Sequence, residues 1–310
     1  MTQNKNILVQ QQIVYLKLER DVFCYDLRQP PVGQGAMGVV YQGWNYQTKE
    51  LVAIKQVKQK YADIQAIRDR ARQEASLRFR HQNLVEMLGL CEEMPGQGAM
   101  FIISKWVNGV NIDEFIKRNF SGFNREMRTK RICDLIYYVL DALEFIHAHG
   151  VMHLDIKPSN IMVENGNNVR LMDLGIAFAE TPVATGSSTS GLMGTPKYAA
   201  PEQFVRTELG GLNPTTDIYE LGVTLYELIT GCNPFESQTL NEVAEKHRTG
   251  SLPASNLVLP QLMDVLQRAT SPSQEGRYAS AREMKVAIEQ ALLPNKPKGI
   301  RGWITRLIPK

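Results

Sequence analysis

In the run His153-Leu154-Asp155-Ile156-Lys157-Pro158-Ser159-Asn160, and in the turn Asp173-Leu174-Gly175 downstream of it, two carboxylates and an amide are spaced for separate tasks. Asp155 is placed to accept a proton from a hydroxyl, while Asn160 and Asp173 offer the hard oxygen atoms that Mg²⁺ takes. Lys157, two residues past the candidate base, can neutralise charge developing on a phosphoryl group in transfer. Upstream, Val52-Ala53-Ile54-Lys55 alternates as a strand does and ends in a lysine. Steadied by a carboxylate, such a lysine presents one fixed positive charge to the α- and β-phosphates of a nucleotide, and Glu74 is the carboxylate available. Taken alone, Lys55 reads as a solvated strand-end lysine, because most lysines are exposed. Earlier still, Val32-Gly33-Gln34-Gly35-Ala36-Met37-Gly38-Val39-Val40 carries the spacing G-x-G-x-x-G between two strand-like segments. Glycines there let backbone amides approach phosphate oxygens with no Cβ in the way, although an ordinary glycine-rich hairpin matches the same pattern. A dinucleotide fold would open a helix at this point, whereas VVYQGW continues as strand. These pieces, in this order, point to phosphoryl transfer from a Mg²⁺-bound nucleotide.

The elements that must position them divide into two unequal parts. From Ile13 to about Ile103, short β-rich runs dominate: VFCYDL, GVVYQGW, ELVAIKQV, LVEMLGLC and MFIIS, broken by Gly, Pro and polar turns. One amphipathic helix is predicted among them over Ile64 to Arg78, from Ile67, Ala71, Ala75 and Leu77 at roughly helical spacing. From Ile112 onward the pattern is mainly helical, in RICDLIYYVLDALEFIHAHG, DIYELGVTLYELITG, LPQLMDVLQRA and SAREMKVAIEQALL. The fold class expected is therefore α+β, a β-rich lobe joined to a helical one. There is no internal repeat, and ATGSSTSG at Ala184 to Gly191 reads as a flexible loop.

Composition narrows the partners. At 310 residues, 43% apolar and 22% charged, the chain can bury a large core and is neither disorder-like nor membrane-embedded. A net charge of +3 gives no argument for nucleic acid, although the last fifteen residues are basic. The four cysteines, Cys24, Cys91, Cys133 and Cys232, lack the paired spacing of a zinc site or a disulfide framework, so a reducing cytoplasm is expected. No apolar run is long enough to span a bilayer, and the start MTQNKNILVQQQ is polar where a signal peptide needs its apolar stretch. The tail KPKGIRGWITRLIPK, with Trp303, Ile304, Leu307 and Ile308 among basic residues, reads as a loose end or a segment docked on its own domain, with weak contact to an anionic membrane surface as the alternative.

The whole set of motifs resembles the eukaryotic-like (Hanks-type) Ser/Thr protein kinase family over about Tyr25 to Leu292. Beyond the segments above, the resemblance rests on GTPKYAAPEQ at Gly194 to Gln203, DIYELGVTLYELITG at Asp217 to Gly231, and Arg277. GAMGVVY, DLG in place of DFG, and the glutamine after APE resemble the bacterial branch. The resemblance implies a bilobal fold: an extension over 1–24, a first lobe to about 104, a hinge over 105–110, a second lobe over 111–292 and a basic tail over 293–310. It implies ATP with Mg²⁺, Mn²⁺ being the alternative ion, and protein substrates that include the chain itself. Asp155 becomes the base, Asn160 and Asp173 the metal ligands, and Lys55 the partner of Glu74. Nucleotide contacts fall on Val32, Gly33, Gln34, Gly35, Ala36, Met37 and Gly38 of the loop, and on Ser104, Lys105 and Val107 of the hinge, with Val40, Ala53 and Met162 around adenine. Glu202 would pair with Arg277, and Asp217 would brace the catalytic loop. Lys157 with Thr195 implies Ser/Thr rather than Tyr substrates.

The departures from the family pattern carry their own expectations. Leu154 stands where an arginine usually precedes the base, and Glu74 lies seven residues before His81, about two fewer than is common. At about 100° per residue, that deficit would rotate the later helix face by more than half a turn. Leu77 is then expected to pack behind Glu74, or the helix to be displaced. Without the arginine, the candidate phosphosites Thr181, Thr185, Ser187, Ser188, Thr189 and Ser190 are expected to be docking marks or modest tuners. Arg170 or Lys197 standing in for that arginine is the alternative. The rival function is a nucleotide-binding scaffold that transfers little, although such modules typically lose the lysine, the base or the metal aspartate, all retained here.

Overall fold

The computed structural model describes residues 6–35, 37–165, 167–174, 195–204 and 211–293. The first lobe is a curled antiparallel sheet built from β1 (Ile7–Gln10), β2 (Ile13–Lys17), β3 (Val22–Asp26), β4 (Gly33–Gln34), β5 (Gly38–Asn45), β6 (Leu51–Val57), β7 (Met87–Met94) and β8 (Gln97–Lys105). Its order is β1-β2-β3-β5-β6-β8-β7, with β4 pairing on β5. Two helices, α1 (Gln59–Ala62) and α2 (Gln65–Leu77), lie between β6 and β7.

Because successive strand side chains point to opposite faces, the all-apolar stretch of β8 serves two cores. Phe101 and Ile103 join Val14, Leu16, Phe23 and Ile54 on one face, while Met100 and Ile102 join Ala62, Ile67 and Ala71 under the helices. The curl brings the sheet's two edges together: Asn6 donates its N–H to the Glu93 carbonyl at 3.3 Å and its Nδ2 to that of Glu92 at 3.1 Å. Residues 6–24 of the expected extension therefore belong to this lobe, and the boundary placed at 24 falls inside β3. Polar flanks and the exposed Leu8 and Val9 hide this in the sequence, since β1 shows no clean alternation.

A buried ion pair fastens α2 to the sheet. Arg68 reaches Glu92 at 2.6 Å and Arg72 reaches the other oxygen of the same carboxylate at 2.7 Å. The helix stops at Leu77 because Arg78 turns left-handed, with φ at 44°. The chain reverses there and lays Phe79 edge-on to Phe145, 5.6 Å between ring centres. The side chains of Glu74 and Leu77 lie outside the described residues, so the expected Lys55–Glu74 pair and the expected packing of Leu77 do too.

The second lobe contains β9 (Gly109–Asn111), α3 (Ile112–Asn119), α4 (Arg125–Ala148), β10 (Ile161–Glu164), β11 (Asn168–Leu171), α5 (Pro201–Phe204), α6 (Pro214–Thr230), α7 (Leu240–Thr249), α8 (Pro260–Ala269) and α9 (Ala281–Ala291). Its centre is α6, buried on every side from Thr216 to Tyr226, as a helix enclosed by others must be. Asn213 caps it by accepting the Thr215 N–H at 2.8 Å, Pro214 fills the first turn, and left-handed Gly231 ends it. No described helix is long and apolar enough to cross a membrane.

Candidate active site

Between the lobes lies a cavity of about 530 Å³. Val32, Gly33, Val40, Ala53, Lys55, Ser104 and Lys105 line it from the first lobe, Trp106 and Val107 from the segment after β8, and Met162 and Asp173 from the second lobe. Strand register explains the convergence: Val40 lies opposite Lys55, and Ala53 opposite Ser104, on neighbouring strands. Gln34, Gly35, Met37 and Gly38 form the turn beside the cavity, closed by the Gly35 N–H donating to the Gly38 carbonyl at 2.9 Å. A Cβ on Gly38 would sit 2.4 Å from the Gln56 carbonyl oxygen, so sheet packing alone demands that glycine. One on Gly35 would meet nothing within 4 Å, so packing does not demand that glycine. Ala36, Gly175 and the six candidate phosphosites lie outside the described residues.

The His153 to Asn160 segment is held by its backbone. Asp217 accepts the N–H groups of His153 and Leu154, both at 2.8 Å, and is met by His147 Nε2 at 2.7 Å. His147, in the last turn of α4, thus supports the loop through Asp217. Leu154 is fully buried in a left-handed conformation, φ 62°, which locks the turn presenting Asp155. His153 is buried and bonds the Met172 carbonyl at 2.7 Å, as a core histidine should.

Each oxygen of Asp155 has two partners. Oδ1 accepts the N–H of Thr195 at 3.0 Å and its hydroxyl at 2.8 Å; Oδ2 accepts Lys157 Nζ at 2.6 Å and Asn160 Nδ2 at 3.0 Å. Asn160 Nδ2 also donates to the Asp155 carbonyl at 2.8 Å, which leaves its Oδ1 as the group it can offer a cation. Lys55 Nζ donates to Asp173 Oδ2 at 2.8 Å. Desolvation pushes the Asp173 carboxyl upward, but the Lys55 ammonium, with His153 and Lys157 behind it, outweighs that and holds it below the usual range, charged and ready for a cation. Asn160 and Asp173 suit Mg²⁺, which takes few protein oxygens and completes its shell with phosphate and water.

Farther out, Glu202 and Arg277 form a fully buried fork, with nitrogen to oxygen distances of 2.7 and 2.9 Å. Sequence reading missed Phe79, Leu174, Asn111 and Glu114 in the cavity wall, and Glu220 and Gln203 beneath the loop. A charged residue in the middle of the apolar run DIYELGVTLYELITG was the visible signal for Glu220.

A family model described as "Protein kinase domain" matches residues 27–289. Among curated relatives, the serine/threonine-protein kinase PknB of Mycolicibacterium smegmatis is 31% identical over 280 residues, 86% of this chain and 43% of that protein. PrkC of Bacillus subtilis is 30% identical over 267 residues, 84% and 39%. The chain thus spans well under half the length of these relatives. The PknI kinase domain of Mycobacterium tuberculosis superposes with a TM-score of 0.65 at 23% identity, covering 84% of this chain and 94% of that one, which shows a shared fold.

Proposed function

The chain belongs to the protein kinase family, and from that premise we propose that it transfers the γ-phosphoryl group of ATP to serine or threonine hydroxyls of proteins, itself included. The observation that carries this reading is the fourfold hold on Asp155, joined through Asn160 and Met172 to the wall of the nucleotide-sized cavity. A substrate hydroxyl hydrogen-bonded to Asp155 gives up its proton to the carboxylate as its oxygen bonds to the γ-phosphorus. The bond from that phosphorus to the β-bridging oxygen breaks, and ADP leaves with the electron pair. Lys157, linking Asp155 to Thr195, neutralises the oxygens in transit and supports an aliphatic rather than phenolic acceptor. Lys55 steadies the α- and β-phosphates, with Glu74 as its proposed orienting partner. When bound, Mg²⁺ or Mn²⁺ at Asn160 and Asp173 supplies charge neutralisation for the phosphates. The catalytic unit on this reading runs from β1 to Leu292, followed by the basic tail. Cysteines that are all free suit a reducing cytoplasmic setting and a signalling role there.

The arginine that usually precedes the base is replaced by a buried Leu154, and the two candidate substitutes are engaged elsewhere. Arg170 pairs with Glu164 at 3.1 Å and Lys197 with Glu236 at 3.4 Å. The basic pocket that loop phosphate would relieve is therefore reduced, and the unphosphorylated enzyme is active on this reading. The test is labelled ATP with Mg²⁺ and an added protein substrate, followed by phosphoamino-acid analysis. It uses the phosphatase-treated protein and a variant with Thr181, Thr185, Ser187, Ser188, Thr189 and Ser190 changed to alanine. Phosphoserine or phosphothreonine at most of the parent rate is expected from both. Phosphotyrosine as the main product contradicts the substrate class; a loss of about a hundredfold in both forms makes loop phosphorylation the switch.

A further inference from the structure

Glu220 lies in the middle of α6 with 1% of its surface accessible. Three residues after Asp217, it shares that residue's helix face, and both carboxyl groups reach the same loop. Asp217 takes the N–H groups on the near side of Asp155, at His153 and Leu154; Glu220 Oε2 takes the one on the far side, at Ile156, 2.8 Å away. One turn on, the Thr224 hydroxyl donates to the Ile156 carbonyl at 3.0 Å, so both backbone groups of Ile156 are fixed by α6. Glu220 also receives the side-chain amide of Gln203 from α5. Gln203 in turn donates to the Leu154 carbonyl at 3.3 Å and accepts the Ala200 N–H at 2.5 Å. Glu220 therefore ties the loop bearing the base to the segment running from Thr195 to Gln203.

The charged groups around it are mostly of its own sign. Asp217 faces it from α6 and Asp155 from the loop. The nearby cations serve other carboxylates, Lys157 bonding Asp155 and Arg277 bonding Glu202 of α5, while the His147 ring of α4 is hydrogen-bonded to Asp217. Burial and the two nearby carboxylates favour the carboxylic acid, and they outweigh the two N–H donors, Ile156 and Gln203, which favour the carboxylate. We propose that Glu220 is a positioning residue that works as a neutral carboxylic acid, holding Ile156 and Gln203 together so that Asp155 stays aligned with the substrate hydroxyl. This rests on Asp155 being the base.

Burial, followed by the Asp217 charge, raises the Glu220 pKa well above the ordinary carboxyl range. In that case the folded protein keeps a proton that the unfolded chain releases above about pH 4.5, so Glu220 makes stability fall as pH rises through this window. Glu220→Gln, which keeps the shape and cannot ionise, should hold kcat within about twofold of the parent. Its Tm advantage over the parent should widen as pH is raised from about 5 to 8. Glu220→Ala should lower kcat about tenfold or more and leave KM for ATP within about twofold, since the cavity wall is untouched. The proposal is overturned if Glu220→Gln loses as much activity as Glu220→Ala, if Glu220→Ala keeps the parent kcat, or if the Tm difference between Gln and parent does not change with pH. The Tm series needs no turnover, so it judges the neutral acid even where Glu220→Ala does not fold or the parent transfers no phosphoryl group; the latter result counts against the kinase reading instead.

Discussion

With ATP in the cavity, as proposed, Ser104 would set how far the pocket extends beyond the nucleotide's base. It faces Ala53 across the sheet, with Met87 opposite it on the other side, and Phe79, Met87 and Ile102 line the wall. A larger residue at this position would close that recess. Bulky adenine-site inhibitors should therefore bind, and Ser104→Met should weaken them about tenfold or more, roughly 1.4 kcal/mol, while KM for ATP stays within about twofold. An inhibitor series indifferent to the change contradicts this account of the pocket. Single residues with a proposed chemical task were the most legible feature of the sequence. Asp155, Asn160, Lys157 and Asp173 sit in short runs whose spacing reveals them, and the structure joins Lys55 to Asp173 and Asp155 to Lys157 and Asn160. Their supports were harder to read. Gln203 and Glu220 act through backbone groups many residues away, and no local pattern marks such a bond.

Helix α2 shows how an element sets the path of the chain after it. Its existence and ends were readable from the spacing of Ile67, Ala71 and Leu77, but the turn that follows was not, because it depends on a left-handed Arg78. That conformation costs about 1–2 kcal/mol for a residue with a Cβ and lets the chain turn inward early. Phe79 consequently meets Phe145 and His149 of the second lobe and, with Leu174, the cavity wall. Arg78→Gly should raise Tm slightly, by the equivalent of about 0.5–1 kcal/mol, with activity unchanged. Phe79→Ala should remove the ring contacts to Phe145 and His149, costing about 1–3 kcal/mol because Phe79 is only partly buried, and should lower kcat. Normal activity and stability in Phe79→Ala would show that the aromatic contact does not link α2 to the active site. The hairpin of β1 and β2 was the least legible element: its core contribution, Val14 and Leu16, depends on a sheet curl that no run of residues announces.

At the scale of the whole molecule, stability should peak over an intermediate pH range. His247, buried in α7 against Phe235 and bonded to the Tyr219 hydroxyl at 2.8 Å, is pushed down to about 3, chiefly by burial. Its contribution is present above the unfolded value of about 6.5 and is lost as pH falls toward the folded one, at about 1.4 kcal/mol per unit. Burial pushes the Glu202 carboxyl up but Arg277 holds it below the ordinary range, so its contribution is lost only on further acidification below about 4.5. Thermal scans of the parent between pH 8 and 5 should show Tm falling below about 6.5, and His247→Gln should flatten that fall; identical curves would place the acid sensitivity elsewhere. On the proposed reading, the two lobes, the cavity between them and the loop under it all serve one proton acceptor, Asp155. The most direct measurement is turnover of labelled ATP by the parent beside Asp155→Asn, with nucleotide affinity measured on both. Asp155→Asn should bind ATP with the parent's Kd within about threefold and lose phosphoryl transfer by about a thousandfold or more. Near-parental transfer by Asp155→Asn would contradict the assignment of the base, and with it the account of the site.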